Sequence, residues 1–186
     1  GMNIMGTGMW STSFAIVTAR TRKLLKRFAA TPMPRAAYLA SLIGSRLAFL
    51  VLEGVVLVAF AWLSFDVVVH GSLAALAVVS LLGALAFGGI ALLVASRAKT
   101  VEGVSGLLNL VMLPMWVFSG VFFASSNFPE TMQPFVQALP LTALNDALRG
   151  VMNDGETLAS LWRELALLAG WGGVSFVAAL RLFRWS

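Results

Sequence analysis

The chain has 186 residues, of which 59% are apolar and 11% are charged, with a mean hydropathy of +0.89. Soluble domains carry charges on about 25% of their residues, because polar groups must cover their surface. Eight acidic and thirteen basic side chains are too few for such a surface, which excludes a soluble domain and indicates an integral membrane protein. The absence of cysteine and the single histidine also exclude a disulfide framework and a multi-histidine metal site.

Long apolar segments predict an all-α bundle of five transmembrane helices, since one crossing needs about 20 apolar residues. We place these crossings, in chain order, at residues 1–19, 37–65, 73–95, 103–124 and 162–181. The intervening segments include a basic loop at 20–35 and a proline-punctuated stretch at 128–155. The whole chain, 1–186, is therefore expected to be a single transmembrane domain.

Basic residues are concentrated on one side of this topology. The loops 20–35 and 96–102 and the tail from 181 hold ten of the thirteen lysines and arginines. The positive-inside rule therefore predicts a cytoplasmic carboxyl end and an outside amino end, and it explains the net charge of +5 without a nucleic-acid partner. Because the chain begins Gly-Met and an outside amino end is unusual for such a start, we expect a further helix upstream.

The basic loop has the pattern of a short amphipathic helix. Leucine and phenylalanine side chains share one helical face and the basic side chains another, and Pro32 ends the pattern. Two interpretations remain open: a basic anchor for anionic lipid headgroups, or a helix that docks on a partner protein. The candidate docking residues are Arg20, Arg22, Lys23, Leu24, Leu25, Lys26, Arg27 and Phe28.

A few polar or small residues lie inside the predicted crossings. Glu53 lies about a third of the way across, where a carboxylate is costly unless it faces protein or water, so it either lines a polar path or makes an interhelical hydrogen bond. Asn109 and Ser119 are further polar candidates for a path. The pairs Ala84/Gly88 and Ala169/Gly173 predict close helix packing.

The stretch 128–155, called the hairpin below, includes Pro129 and predicts two short amphipathic helices broken by Pro140. The first has a short apolar face of Met132, Phe135, Val136 and Leu139. The second helix has an apolar stripe of Leu141, Leu144, Leu148 and Val151, and we expect Asn145, Asp146 and Arg149 to lie away from this stripe. Asp146 and Arg149 are three residues apart and can pair. The pattern indicates an interfacial or re-entrant hairpin; the alternative is an ordinary surface helix pair.

No glycine is followed by lysine, so the chain has no phosphate-binding P-loop and is not itself a P-loop ATPase. It also has no H-E-x-x-H motif, which disfavours a membrane metalloprotease. We therefore expect neither catalytic residues nor a bound cofactor in this chain.

Several short motifs occur in a fixed order along the chain: A-T-P at 30–32, S-G-V-F-F at 119–123, F-P at 128–129, L-P-L-T at 139–142 and D-A-L-R at 146–149. In this order they resemble the permease subunits of ABC-2 type transporters. The resemblance implies helices two to six of a six-helix permease in a bacterial inner membrane. It also implies that the basic loop is a coupling helix for a separate ABC ATP-binding subunit, which holds ATP and Mg²⁺, and that the hairpin closes the outer exit.

By the same resemblance, the chain would act as a non-catalytic subunit of an exporter for a drug, lipid or glycan substrate. A second copy or a paralogue would complete the path within the membrane lipids. Two alternatives stay open at this stage. One is a self-contained channel or secondary transporter that uses Glu53, and the other is a membrane scaffold whose basic loop recruits a partner.

Overall fold

A computed structural model describes residues 1–21, 44–45, 48–56, 71–98, 100–120 and 129–182. The described part of the chain is all-helical and contains no strand, which confirms the predicted fold class at that level. Its helices are α1 (Met2–Thr21), α2 (Leu73–Arg97), α3 (Val101–Phe118), α4 (Gln133–Ala138), α5 (Pro140–Asn153) and α6 (Trp162–Leu182). Residues 48–56 are also helical.

The central helices begin at side chains that cap them. The Ser72 hydroxyl accepts a hydrogen bond from the Ala74 amide at 3.2 Å at the start of α2. Thr100 accepts one from the Gly103 amide at 3.0 Å at the start of α3. Each cap satisfies an amide that has no partner inside its own helix, so these local sequences determine where the two apolar helices begin.

Helix α2 is the centre of the bundle and packs against α1, α5 and α6. The buried Ser13 hydroxyl on α1 donates to the Ala91 carbonyl oxygen on α2 at 3.1 Å, and Met5, Met9 and Phe87 of these two helices are buried in the apolar core. A polar bond of this kind satisfies a hydroxyl that has no water available to it and joins two apolar helices.

The close contact between α2 and α6 is made at glycines. A Cβ added at Gly89 would lie 2.8 Å from the Gly172 carbonyl oxygen, and one added at Gly172 would lie 3.2 Å from the Ala86 Cα atom. Of the predicted positions, Ala84 is buried, but added Cβ atoms at Gly88 and Gly173 would meet nothing within 4 Å, and Ala169 is exposed. Sequence spacing finds small residues, but the rotation of each helix decides which of them face each other.

Three described helices are long and apolar enough to cross a membrane: α2, α3 and α6. Helix α1 has 20 residues, which is sufficient length, but its serine, threonine and asparagine residues lower its hydropathy below that of the other three. Much of the predicted crossing at 37–65 lies outside the described residues. The count of five crossings therefore stays a prediction, as does the side on which each end lies.

Candidate functional site: a hairpin inserted into the bundle

Helices α4 and α5 form the hairpin and meet at Leu139. The residue before a proline is disfavoured in the α conformation, and Leu139 is accordingly extended, with φ −69° and ψ 135°. Pro140 then occupies the first turn of α5, where its missing amide costs no hydrogen bond. The L-P pair therefore divides the stretch into two helices by restricting the backbone.

The first half of α5 is buried on every side. Six consecutive residues, from Pro140 to Asn145, are buried, and six residues cover more than one and a half turns of helix. A helix lying on a surface would bury only one stripe. The contacts of α5 with α1, α2, α3 and α6 account for the difference, because the helix enters a space between them.

Two contacts place the hairpin about halfway along the bundle. An added Cβ at Gly83, ten residues into α2, would lie 2.7 Å from a Leu144 methyl carbon. The indole of Trp171, nine residues into α6, donates to the Ala138 carbonyl oxygen at 2.8 Å. At about 1.5 Å of rise per residue, the backbones of Gly83 and Trp171 lie about 15 Å from the starts of their helices. This depth favours a re-entrant hairpin over a surface helix pair.

The backbone polar groups at the break between α4 and α5 have hydrogen-bond partners. The Ala138 carbonyl accepts from Trp171, and the Leu139 amide donates to the Val136 carbonyl at 3.3 Å. An irregular backbone at membrane depth requires such partners, because no bulk water is present to supply them. Trp171 therefore supports the tip of the hairpin, a role that sequence periodicity did not indicate.

Helix α5 also binds the end of α3. The side-chain amide of Asn145 donates to the Ser119 carbonyl at 3.4 Å, and the guanidinium of Arg149 donates to the Gly120 carbonyl at 3.2 Å. Carbonyls at a helix carboxyl end lack partners within the helix and carry partial negative charge, so an amide and a cation suit them. Gly120 has φ 75°, a conformation that favours glycine, which explains the S-G pair at this turn.

Arg149 also lies near Asp146, with 3.9 Å between the guanidinium nitrogen and the carboxylate oxygen, so the predicted pair is present. Partial burial raises the pKa of the Asp146 carboxyl above its ordinary value of 3.8, although 45% of the side chain stays exposed; the charge of Arg149 lowers it, and that of Glu164 raises it. The net shift is upward because the desolvation of the carboxylate exceeds the attraction of the guanidinium.

The raised pKa predicts a pH dependence of stability. Because the folded state disfavours the charged Asp146, the free energy of unfolding should rise as pH falls through the raised folded pKa. The rise should end below about 3.8, where both states are protonated. Thermal unfolding of wild type and Asp146→Asn across this range should show a smaller pH dependence in the variant. Asp154→Asn, at the exposed end of α5, is the control; parallel profiles for wild type and Asp146→Asn would contradict the assignment.

Asn145 is not where the sequence pattern predicts it. The pattern predicts it away from the packed stripe, but it is buried, because α5 has neighbours on more than one face. Thr142, which is not among the predicted site residues, is also buried. Within the described ranges the hydroxyls of Thr142 and Ser119 have no hydrogen-bond partner, and Ser119 lies where Asn145 of α5 meets the end of α3. The i, i+3 spacing of Thr142 and Asn145 was the available signal.

The remaining candidates are dispersed. Asn109 is exposed on α3, Glu53 is partly buried within the helical segment 48–56, and Pro129 is exposed before α4. Ser119 and Pro140 belong to the inserted site. For the coupling segment, Arg20 lies at the end of α1, while Arg22, Lys23, Leu24, Leu25, Lys26, Arg27 and Phe28 lie outside the described residues.

An apolar helical bundle with an inserted hairpin defines a polytopic membrane protein. A family model described as ABC-2 type transporter matches residues 1–153, which include α1 to α5. The chain therefore belongs to the ABC-2 type transporter membrane family. The match ends at the last residue of α5, so it includes both helices of the hairpin.

Curated relatives agree with this membership. The chain is 33% identical to nodulation protein J of Bradyrhizobium diazoefficiens over 113 residues, covering 60% of this chain and 42% of that protein. It is 23% identical to the inner membrane transport permease YhhJ of Escherichia coli over 183 residues, covering 98% of this chain and 49% of that protein. The Shigella flexneri permease of the same name matches equally. The chain thus spans about half the length of these relatives or less, and no solved structure matches it.

Proposed function

We propose that this chain forms the transmembrane path of an ATP-binding-cassette exporter in a bacterial inner membrane. A separate ATPase subunit would bind ATP and Mg²⁺ and drive the cycle, while two copies of the permease, or one copy and a paralogue, enclose the path. The observation that carries this proposal is the family match across residues 1–153. The relative named as an inner membrane transport permease supports the location.

The inserted hairpin is the part of the chain that we expect to move during transport. Its bonds to Ser119 and Gly120 join it to the end of α3, and its buried first half fills the space among four helices. By the positive-inside rule this end of the bundle is the outer one. A movement of α3 would therefore carry the hairpin with it and open or close the outer exit.

Polar residues in the apolar helices are the candidates for the path. Asn109 is the ninth of the 18 residues of α3 and is exposed on the surface of the isolated chain. An amide facing hydrocarbon is costly, so Asn109 belongs against a second permease copy or in an aqueous path. Glu53 is the second candidate. Drugs, lipids and lipid-linked glycans all suit such a mixed apolar and polar surface.

The basic segment from Arg20 to Phe28 is the proposed docking site of the ATPase, on the side that also carries the carboxyl end of the chain. Reversing the charges of Lys23, Lys26 and Arg27 to glutamate should weaken binding of the co-expressed ATPase about tenfold or more, because several surface charge pairs become repulsive. Co-purification of the two subunits, followed by ATP-driven transport in reconstituted vesicles, measures this effect.

The matched control reverses three other basic residues predicted on the same side, Arg97, Lys99 and Arg181. This variant should retain the ATPase. Equal loss in both variants would mean that net charge, and not a docking helix, determines binding. Transport down an ion gradient without any ATPase would contradict the proposal and favour a channel or secondary transporter that uses Glu53. Recruitment of the ATPase without transport would instead indicate a scaffold.

A further inference from the structure

A groove of about 570 Å³ lies beside the hairpin, between α4 with its preceding residues and the start of α6. It is separate from the contacts of α5 with α3 and from the candidate path residues. Trp162 lies at its edge and is 69% exposed. Because Trp162 is the first residue of an apolar spanning helix, the groove opens at the level where the membrane meets water.

The groove changes from polar to apolar along α6. Arg163 lines it at the start of α6, and Ala166 and Leu167 line it one turn further along the helix, while Glu130 and Gln133 add polar groups from the α4 side. One helical turn is about 5 Å, so polarity changes over the distance that separates lipid headgroups from acyl chains. The groove therefore has the polarity profile of a phospholipid.

The charges in the groove select the headgroup. The guanidinium of Arg163 donates to the side-chain oxygen of Gln137 at 3.4 Å, which holds the cation across the groove with further N–H groups to donate. The carboxylate of Glu130 lines the same groove. One cation and one anion complement a headgroup that carries a phosphate and an ammonium, since arginine binds phosphate and a carboxylate accepts from N–H groups.

We propose that this groove is a binding site for a phospholipid with an ethanolamine headgroup, with phosphate on Arg163 and ammonium on Glu130. Its acyl chain lies along Ala166 and Leu167. A choline headgroup lacks N–H donors for the Glu130 carboxylate, and a glycerol headgroup leaves this carboxylate without a cation. The bound lipid would press α4 against α6 and so hold the first helix of the hairpin in place. The site does not depend on the proposed transport function.

Photo-crosslinking tests the site directly. The full-length protein is reconstituted into phosphatidylcholine vesicles doped with diazirine-acyl phosphatidylethanolamine, and labelled peptides are identified by mass spectrometry. We expect labelling at 130–138 and 162–167, and less labelling from the matched choline and glycerol probes. Arg163→Gln should reduce ethanolamine-lipid labelling about tenfold, the loss expected for one charge-assisted bond to phosphate. Glu130→Gln should remove the preference for ethanolamine over choline.

The control is Arg181→Gln, an exposed arginine near the other end of α6, which should leave labelling of the groove unchanged. Equal labelling by the three headgroups in the wild-type protein would overturn the proposal, and so would stronger labelling by the glycerol probe. The chain has no cysteine, so Trp162→Cys provides a single thiol. A disulfide between two copies at this position would show that a second copy covers the groove, which would also overturn the proposal.

Discussion

Replacing Gly89 by alanine should destabilise the bundle by about 1–3 kcal/mol, the usual cost of adding an atom where none fits. The new methyl group would lie 2.8 Å from the Gly172 carbonyl oxygen, and this atom belongs to the backbone of α6, so no side-chain rotation can relieve the contact. Helices α2 and α6 would have to separate. Thermal unfolding in detergent and the monodisperse fraction on size exclusion measure the effect.

The adjacent glycine is a closely matched control. A methyl group at Gly88 would meet nothing within 4 Å, and alanine favours a helix over glycine by up to about 1 kcal/mol. Gly88→Ala should therefore be neutral or stabilising, although it differs from Gly89→Ala by one position. A smaller contrast in the same direction is expected between Gly172→Ala and Gly173→Ala, because a methyl group at Gly172 would lie 3.2 Å from the Ala86 Cα atom and one at Gly173 would meet nothing within 4 Å. If both members of a pair behave alike, the interface does not have the rotation described.

Replacing Asn145 by leucine should release the end of α3 from the hairpin. Leucine resembles asparagine in shape but donates no hydrogen bond, so the buried Ser119 carbonyl loses its donor from α5. Leaving a buried carbonyl unsatisfied costs about 1–3 kcal/mol. The population of molecules in which this junction is open should rise accordingly, about tenfold for each 1.4 kcal/mol.

A single thiol can report this opening. Ser119 is 1% exposed and the chain has no cysteine, so Ser119→Cys places the sole thiol at the junction with little change in volume. Its reaction with a small methanethiosulfonate reagent should be slow in the parent and about tenfold faster in the Asn145→Leu background. Asn153→Leu, at an exposed position of α5, is the control and should leave the rate unchanged. Equal rates in the three backgrounds would exclude the proposed bond as a determinant of closure.

The hairpin shows which structural features sequence periodicity predicts and which it does not. The proline positions and the apolar stripe predicted where two short helices lie, and the spacing of Asp146 and Arg149 predicted their pairing. The same reasoning placed Asn145 on the wrong side, because an amphipathic pattern assumes one packed face. Helix α5 contacts four neighbours, so residues on both sides of the stripe are buried.

The contact between α2 and α6 shows a second feature that sequence pattern does not predict. Both helices contain adjacent glycines, and pattern alone gives no reason to prefer Gly89 over Gly88 or Gly172 over Gly173. A rotation of 100° per residue separates these neighbours, so a small difference in helix orientation exchanges the packed glycine for the open one. The choice depends on how all the helices pack together.

Composition and local pattern by themselves determined the membrane class, the helical fold class and the family resemblance. These properties follow from apolar content, caps and prolines, which act over a few residues. Only the tertiary structure decided that the hairpin reaches halfway into the bundle, that Asn145 and Arg149 cap α3, and that Gly89 and Gly172 meet. The physical reason is that burial depends on how many neighbours surround a helix, and residues far apart in the chain supply those neighbours.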